Sequence, residues 1–307
     1  MKKLIALLTF TAATAFAQPV ELVIYSSPGN QSDTAARFFA PSIEKALNRA
    51  LVIVNKPGAS GSIGMRYAAE TAKDSDLILV GNANITLTSL TNKLDFNPRE
   101  KFVPLYGMSF GYAAIYVSGE SGTKTAKDLV DLYKKNGRLL VGSSGQIDDI
   151  TALHLGRSLG VPIEIVRYKK ATQMATELVA NRIDLTVATL GASAYQSFAD
   201  TGLLRAVAVI DETRSPYMPS IPTLKEQGYA KVEGFRWTAF FVSVDMTPEK
   251  RAVFAKALIE AMNSPEAAAY EKLPGLPQRN LKGSAAISAV QDTDTSVMAA
   301  ELSVLAK

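Results

Sequence analysis

Short apolar runs and amphipathic stretches take turns along this 307-residue chain. Residues 21–25, 51–54, 77–80, 138–141, 163–168, 184–189 and 206–210 are short and rich in Val, Ile and Leu, as buried strands are. Between them, apolar residues at helical spacing predict helices over 34–50, 63–72, 126–135, 150–159 and 172–180. A further helix, 248–262, sets Val253, Leu258 and Met262 beside charged Arg251, Lys256 and Glu260. Strands alternating with helices of this length predict an α/β fold with largely parallel sheets.

The alternation breaks twice. The stretch 102–117 is apolar and punctuated by Pro104 and Gly107, and 215–244 carries Pro216, Pro219, Pro222, Gly228 and Gly234. Two irregular crossings around a central α/β block predict two lobes, the outer one built from both chain ends: 18–117 plus 239–307 form lobe 1, and 118–238 form lobe 2. Open α/β sheets bind ligands at strand C-termini, so the cleft between the lobes is the expected site.

Residues 1–17 read as a secretory signal peptide. Lys2 and Lys3 precede an apolar core from Leu4 to Phe16, and Ala15-Phe16-Ala17 forms a small-residue cleavage site. This run is short of the roughly 20 residues that span a bilayer. The expected mature protein starts at Gln18, lies in the periplasm and has a formal charge of +2 in place of +4. No Lys/Arg cluster with interleaved aromatics points to nucleic acid. The chain has no cysteine and one histidine, His154, which removes thiolate chemistry and poly-His metal sites. No cofactor or metal is expected.

Candidate chemistry sits in four loops, each after a predicted strand. The first is Ser26-Ser27-Pro28-Gly29-Asn30-Gln31-Ser32-Asp33, leading into a helix. The second runs through Gly58, Ala59, Ser60 and Gly61, the third through Gly81, Asn82 and Asn84, and the fourth through Ser143, Ser144, Gly145 and Gln146. Glycines let the backbone approach a ligand and turn its N–H groups inward. Hydroxyls and amides add neutral donors, and helix N-termini supply unpaired N–H groups and partial positive charge, so the set suits an anion.

Enzyme motifs are weak by comparison. Gly58, Gly61 and Gly64 lack dinucleotide spacing, and no P-loop lysine occurs. Ser144 follows a strand, but Gln146 occupies the position where a nucleophile elbow has its second glycine. An exported hydrolase using Ser144 and His154 is therefore a remote reading, with His154 taken as a packing residue. Asp148 and Asp149, adjacent at a helix start, point apart and read as first-turn acids favoured by the dipole. Trp237 and Phe235 read as packing between lobes.

In order, the motifs resemble the Bug family, the extracytoplasmic receptors of tripartite tricarboxylate transporters. The similarity is carried by Ser32-Asp33-Thr34-Ala35-Ala36-Arg37, Asn55-Lys56-Pro57-Gly58-Ala59-Ser60-Gly61-Ser62-Ile63-Gly64, Phe96-Asn97-Pro98 with Phe102-Val103-Pro104, Val141-Gly142-Ser143-Ser144-Gly145, Tyr168-Lys169-Lys170, Leu203-Leu204-Arg205-Ala206-Val207-Ala208-Val209 and Arg214-Ser215-Pro216 with Ile221-Pro222-Thr223. The resemblance implies a type II periplasmic-binding fold of two α/β lobes. It implies a receptor without catalysis that closes over a carboxylate-bearing organic acid and delivers it to the membrane subunits of a secondary transporter. A ligand sensor acting on a membrane signalling protein is the alternative, and a monomer is expected. The candidate ligand residues are Ser26, Ser27, Gly29, Asn30, Gln31, Ser32, Asp33, Ala59, Ser60, Gly81, Asn82 and Asn84 from one side. Ser143, Ser144, Gln146, Tyr168, Lys170 and Thr189 face them from the other.

The chain also departs from the family pattern. Tyr25-Ser26 replaces Pro-Phe, and Gly29-Asn30-Gln31 replaces three glycines. Asp184-Leu185-Thr186-Val187-Ala188 lacks a following acidic residue, and Lys170 replaces glycine. These changes favour a ligand more anionic or more neutral-polar than an amino acid.

Overall fold

The computed structural model describes residues 18–72, 76–91, 94–270 and 283–305; the expected signal peptide, 1–17, lies outside them. The first sheet is built from β1 (Val20–Ile24), β2 (Leu51–Asn55), β3 (Leu77–Asn82), β4 (Phe102–Phe110) and β10 (Trp237–Ser243), in the order β2-β1-β3-β10-β4. The second contains β5 (Ala113–Ser118), β6 (Leu140–Ser143), β7 (Glu164–Arg167), β8 (Leu185–Thr189) and β9 (Leu204–Val209), in the order β7-β6-β8-β5-β9. Helices cover both faces of each sheet, so the central strands bury two sides, while the edge strands β2 and β7 stay partly exposed.

In the first lobe, α1 (Gln31–Leu47), α9 (Pro248–Met262) and α10 (Pro265–Tyr270) pack one face, with Phe39 against Tyr270 at 4.8 Å between rings. The other face carries α2 (Ser62–Thr71), α3 (Asn84–Thr91), the short α4 (Pro98–Lys101) and α11 (Ser284–Leu305). In the second lobe, α5 (Ala126–Asn136) and α6 (Gln146–Leu159) lie opposite α7 (Ala171–Val179) and α8 (Ser193–Asp200). The ends of these helices follow local chemistry. Thr125 and Asp128 form a reciprocal cap on α5, which stops at Gly137 with φ 72°. Asn30 caps α1, its Oδ1 accepting from Ser32 N–H at 2.8 Å.

Four expectations change. The sheets are mixed: β1, β2 and β3 run parallel, as do β6, β7 and β8, but β10 and β5 run antiparallel to their neighbours. The reason is topological. Strands leading toward the cleft share one direction, and a strand entering a lobe from a crossing must run the other way. The apolar stretch 102–117 is two strands in different sheets, so the chain crosses at Gly111 and Tyr112 and not at 117. The return crossing ends where β10 begins at Trp237, ahead of the expected 239. Finally, α6 starts at Gln146 and not at 150, which puts Gln146, Asp148 and Asp149 on its first turn.

The helix α11 was not foreseen. Its buried Ile287, Gln291, Asp294, Met298 and Glu301 recur every three or four residues. Ile147 and Ile150 of α6 join its cluster, and Arg157 reaches Glu301 at 3.1 Å, so α11 fastens the second lobe to the first.

Candidate functional site

Register brings the predicted loops together. Asn82, at the C-terminal end of β3, pairs with Thr238, just after the return crossing. Thr189, at the C-terminal end of β8, pairs with Ala113, just after the outward crossing. The C-terminal ends of both parallel strand sets therefore abut the two crossings, and their loops face one another over Gly111 and Arg236. Gly111 N–H donates to the Arg236 carbonyl at 2.5 Å, which joins the crossings into one floor.

On the first lobe, Asp33 organises the opening loop. It is 2% exposed and accepts from Gly29 N–H (2.8 Å), Arg37 Nε (2.9 Å) and Asn55 Nδ2 (2.8 Å). Burial alone would raise its pKa, but these hydrogen bonds outweigh burial and hold it below the usual carboxylate range. Asn55 Nδ2 also donates to the Ser26 carbonyl at 3.2 Å. Asp33 is thus a positioning residue. The groups it leaves facing solvent are Ser27, Gly29 and Asn30, with Ser32 half-buried beside them on α1; Gln31 is the first residue of α1.

Tyr25 ties this loop to the third. Its hydroxyl donates to Asn82 Oδ1 at 2.8 Å, and burial pushes the phenol pKa up. Asn82 Oδ1 also accepts from Asn84 N–H at 2.9 Å, so this oxygen shapes the turn into α3. Gly81 is buried in β3, where a Cβ would lie 2.4 Å from Ile85, and it serves packing. Ala59 and Ser60 are exposed in a 3₁₀ turn with φ 49° and 55°. Such left-handed conformations cost about 1 kcal/mol or more in non-glycine residues and mark loops held in shape by their surroundings.

On the second lobe, the adjacent acids of α6 do point apart. Asp149 turns inward: Ser143 Oγ donates to its Oδ1 at 2.5 Å, and Arg167 NH2 donates to its Oδ2 at 2.9 Å. Ser143 is wholly buried and shapes the loop without reaching the cleft. Asp148 turns toward the crossings. Its Oδ2 accepts from Ser144 N–H (3.0 Å) and Ser144 Oγ (2.7 Å), and its Oδ1 accepts from Arg236 NH2 (2.9 Å). Gln146 is half-buried at the first turn of α6. Tyr168 is half-buried, its N–H bonded to the Ser143 carbonyl at 2.8 Å, while Lys170 is exposed at the start of α7. Thr189 ends β8 half-buried; a Cβ on Gly111 would lie 2.9 Å from its methyl group and 3.5 Å from the Arg236 Cβ.

Arg236 is the functional residue that sequence reasoning missed. Its NH2 also donates to the Val187 carbonyl at 3.1 Å, while its Nε is buried without a partner. The pair with Asp148 is largely sheltered, with side-chain exposures of 18% and 13%. Removing one member of such a pair costs up to about 3 kcal/mol, because the other stays desolvated. Tyr195, stacked on Tyr116 at 5.2 Å, has its phenol pKa raised by burial and then by the Asp148 charge.

His154 accepts from Glu233 N–H at 3.2 Å and its pKa is lowered by burial. It bonds to the backbone of the return crossing, as a packing histidine does. Trp237 and Phe235 pack with Ile147 and Ile150, bridging the lobes. Trp237 Nε1 donates to Asp294 at 2.7 Å, beside a cavity of about 110 Å³ behind the crossing. Burial pushes the Asp294 pKa up to about 7, against the opposing indole hydrogen bond. Among the described residues no group of His, Cys, Asp or Glu is arranged to hold a metal ion, and no helix is long and apolar enough to cross a membrane.

Two α/β lobes, crossed twice by the chain and facing one another with helix N-termini, define a type II periplasmic-binding architecture. The chain belongs to the tripartite tricarboxylate transporter family of receptors, whose family model matches residues 35–292. Members are periplasmic solute-binding receptors, not enzymes. A protein from Agrobacterium vitis, encoded in the TAR-I ttuE-ttuC′ intergenic region, is 28% identical over 251 residues, covering 80% of this chain and 72% of its own. BugT of Bordetella pertussis is 23% identical over 261 residues, covering 83% and 79%. Among solved structures, a TctC solute-binding protein from Polaromonas superposes with TM-score 0.78 at 23% identity, covering 93% of this chain and 98% of its own. MatC from Rhodopseudomonas palustris, with bound malate, gives 0.73 at 20% identity and 92% and 98% coverage. Another R. palustris protein, with adipate, gives 0.74 at 21% identity and 91% and 94% coverage.

Proposed function

We propose that this protein is exported to the periplasm, captures a small carboxylate-bearing organic acid between its lobes and hands it to the membrane subunits of a tripartite tricarboxylate-type transporter. The observation that carries this reading is the pairing of two loop sets across one floor, with Ser27, Gly29 and Asn30 exposed at the start of α1. Malate and adipate in two structural neighbours support an acid as the solute. Residues 1–17 are taken as the signal peptide, removed after Ala17, so that the working chain is a periplasmic monomer.

Binding here is closure. Contacts from both lobes favour the closed state by their difference in affinity between open and closed forms. A micromolar dissociation constant corresponds to about 8 kcal/mol, within reach of a few hydrogen bonds to a carboxylate and the desolvation of the cleft. A thermal-shift screen over mono-, di- and tricarboxylates and aromatic acids tests the reading. At least one acid is expected to raise the melting temperature in proportion to the logarithm of its concentration above saturation. A protein stabilised by none of them, or by amino acids only, contradicts it.

A further inference from the structure

The donors of the second lobe are already occupied. Ser144, expected to offer its N–H and hydroxyl to a ligand, gives both to Asp148. Arg236, the cation at the cleft floor, gives one N–H of NH2 to the same carboxylate and another to the Val187 carbonyl. Both oxygens of Asp148 are thereby engaged, and its charge cancels that of Arg236. The first lobe differs: Asp33, its resident carboxylate, is buried behind the loop, and Ser27, Gly29 and Asn30 remain exposed in front of it. A carboxylate arriving in the cleft therefore meets open donors on one wall and an internal carboxylate on the other. Nε is buried without a partner and so is not offered to the cleft, and a second ligand carboxylate has to compete with Asp148 for the NH2 side of the guanidinium.

We infer that Asp148 is a built-in counter-anion that sets the charge selectivity of this receptor, favouring acids with one carboxylate over dicarboxylates of the same chain length. The inference rests on the organic-acid reading and narrows it to a substrate class. The single carboxylate belongs at the start of α1, and the far end of the solute, neutral and polar or short and apolar, lies toward Ser144 and Arg236. A second carboxylate there would find the Arg236 charge already neutralised by Asp148 and would be desolvated without a counter-charge.

The test compares butyrate with succinate, and hexanoate with adipate, by calorimetric titration of the mature wild-type protein, Asp148→Asn and the double variant Asp148→Asn/Arg236→Gln. Wild type is expected to bind the monocarboxylate of at least one pair more tightly than its dicarboxylate. Asp148→Asn frees the Arg236 charge and should move the ratio about tenfold toward the dicarboxylate, the effect of one unit charge at close range in a partly screened site. The double variant, neutral at both positions, should return the ratio to the wild-type value, which loss of structure alone would not do. Succinate and adipate preferred by wild type, or an unchanged ratio in a folded Asp148→Asn, overturns the inference while leaving the organic-acid reading standing. If Asp148→Asn does not fold, the wild-type ratio decides. Wild type binding none of the four acids overturns the inference, and does so by removing the organic-acid reading beneath it.

Discussion

At the scale of single residues, carboxylates do most of the organising, and each is handled differently. Asp33 is buried and kept charged by three donors, Asp148 is paired at the cleft floor, and Asp294 is buried with one indole donor. One donor does not offset the burial, so Asp294 titrates near 7 where an unfolded aspartate titrates near 4. Between those values the folded chain keeps a proton that the unfolded chain has released. Stability therefore falls as pH rises through this window, and stays lower above it. Glu233, which raises the Asp294 pKa further, and Arg99 and Lys231, which lower it, are the charged groups around it. Asp294→Asn keeps an acceptor for Trp237 and has no charge to expose. Between pH 5 and pH 8 the variant should gain about 2–3 kcal/mol over wild type in urea denaturation; parallel pH profiles would contradict this assignment.

At the scale of elements, the loops owe their shape to how closely helices pack on strands. On α2, a Cβ at Gly64 would meet the Tyr25 Cβ at 2.4 Å and the Lys56 carbonyl at 2.9 Å, and neither is a flexible end. Gly64→Ala is expected to destabilise by about 2–3 kcal/mol in chemical denaturation and to weaken solute binding by moving Tyr25. Gly145 is the opposite case, with extended backbone (φ 174°) and nothing within 4 Å of a Cβ. Gly145→Ala should stay within about 0.5 kcal/mol of wild type, so a loss of binding in that variant reports a direct clash with solute. Equal stability losses in the two variants would refute the packing argument.

The strands and most helices were legible in the sequence because their apolar spacing is local. The opening loop was legible too, since Asn30 caps a helix within three residues of itself. What stayed hidden depends on distant partners. The stretch 102–117 read as irregular because Pro104 and Gly107 obscure a strand whose partner, β10, lies more than a hundred residues away. The pairing of Asp148 with Arg236 joins residues 88 apart, and no local spacing announces it. Ser143 is a ligand donor by residue type; its burial and its hydrogen bond to Asp149 decide its use, and neither is a property of the sequence window.

At the scale of the whole molecule, two crossings join the lobes, and α11 packs against both of them. Ile150 is buried and Ile147 partly buried against the first lobe, and Arg157 is tied to Glu301, so the α6 side is closed in. The loop side carries the exposed Ser27, Gly29 and Asn30 on the first lobe and the Asp148–Arg236 pair on the second. The lobes are expected to draw together on that side when an acid binds, because only the closed form lets both walls touch it. Small-angle X-ray scattering of the mature protein, with and without a saturating concentration of an acid that raises its melting temperature, tests this most directly. The predicted result is a smaller radius of gyration with the acid than without it. An unchanged radius at saturation would contradict a two-lobed receptor that works by closure.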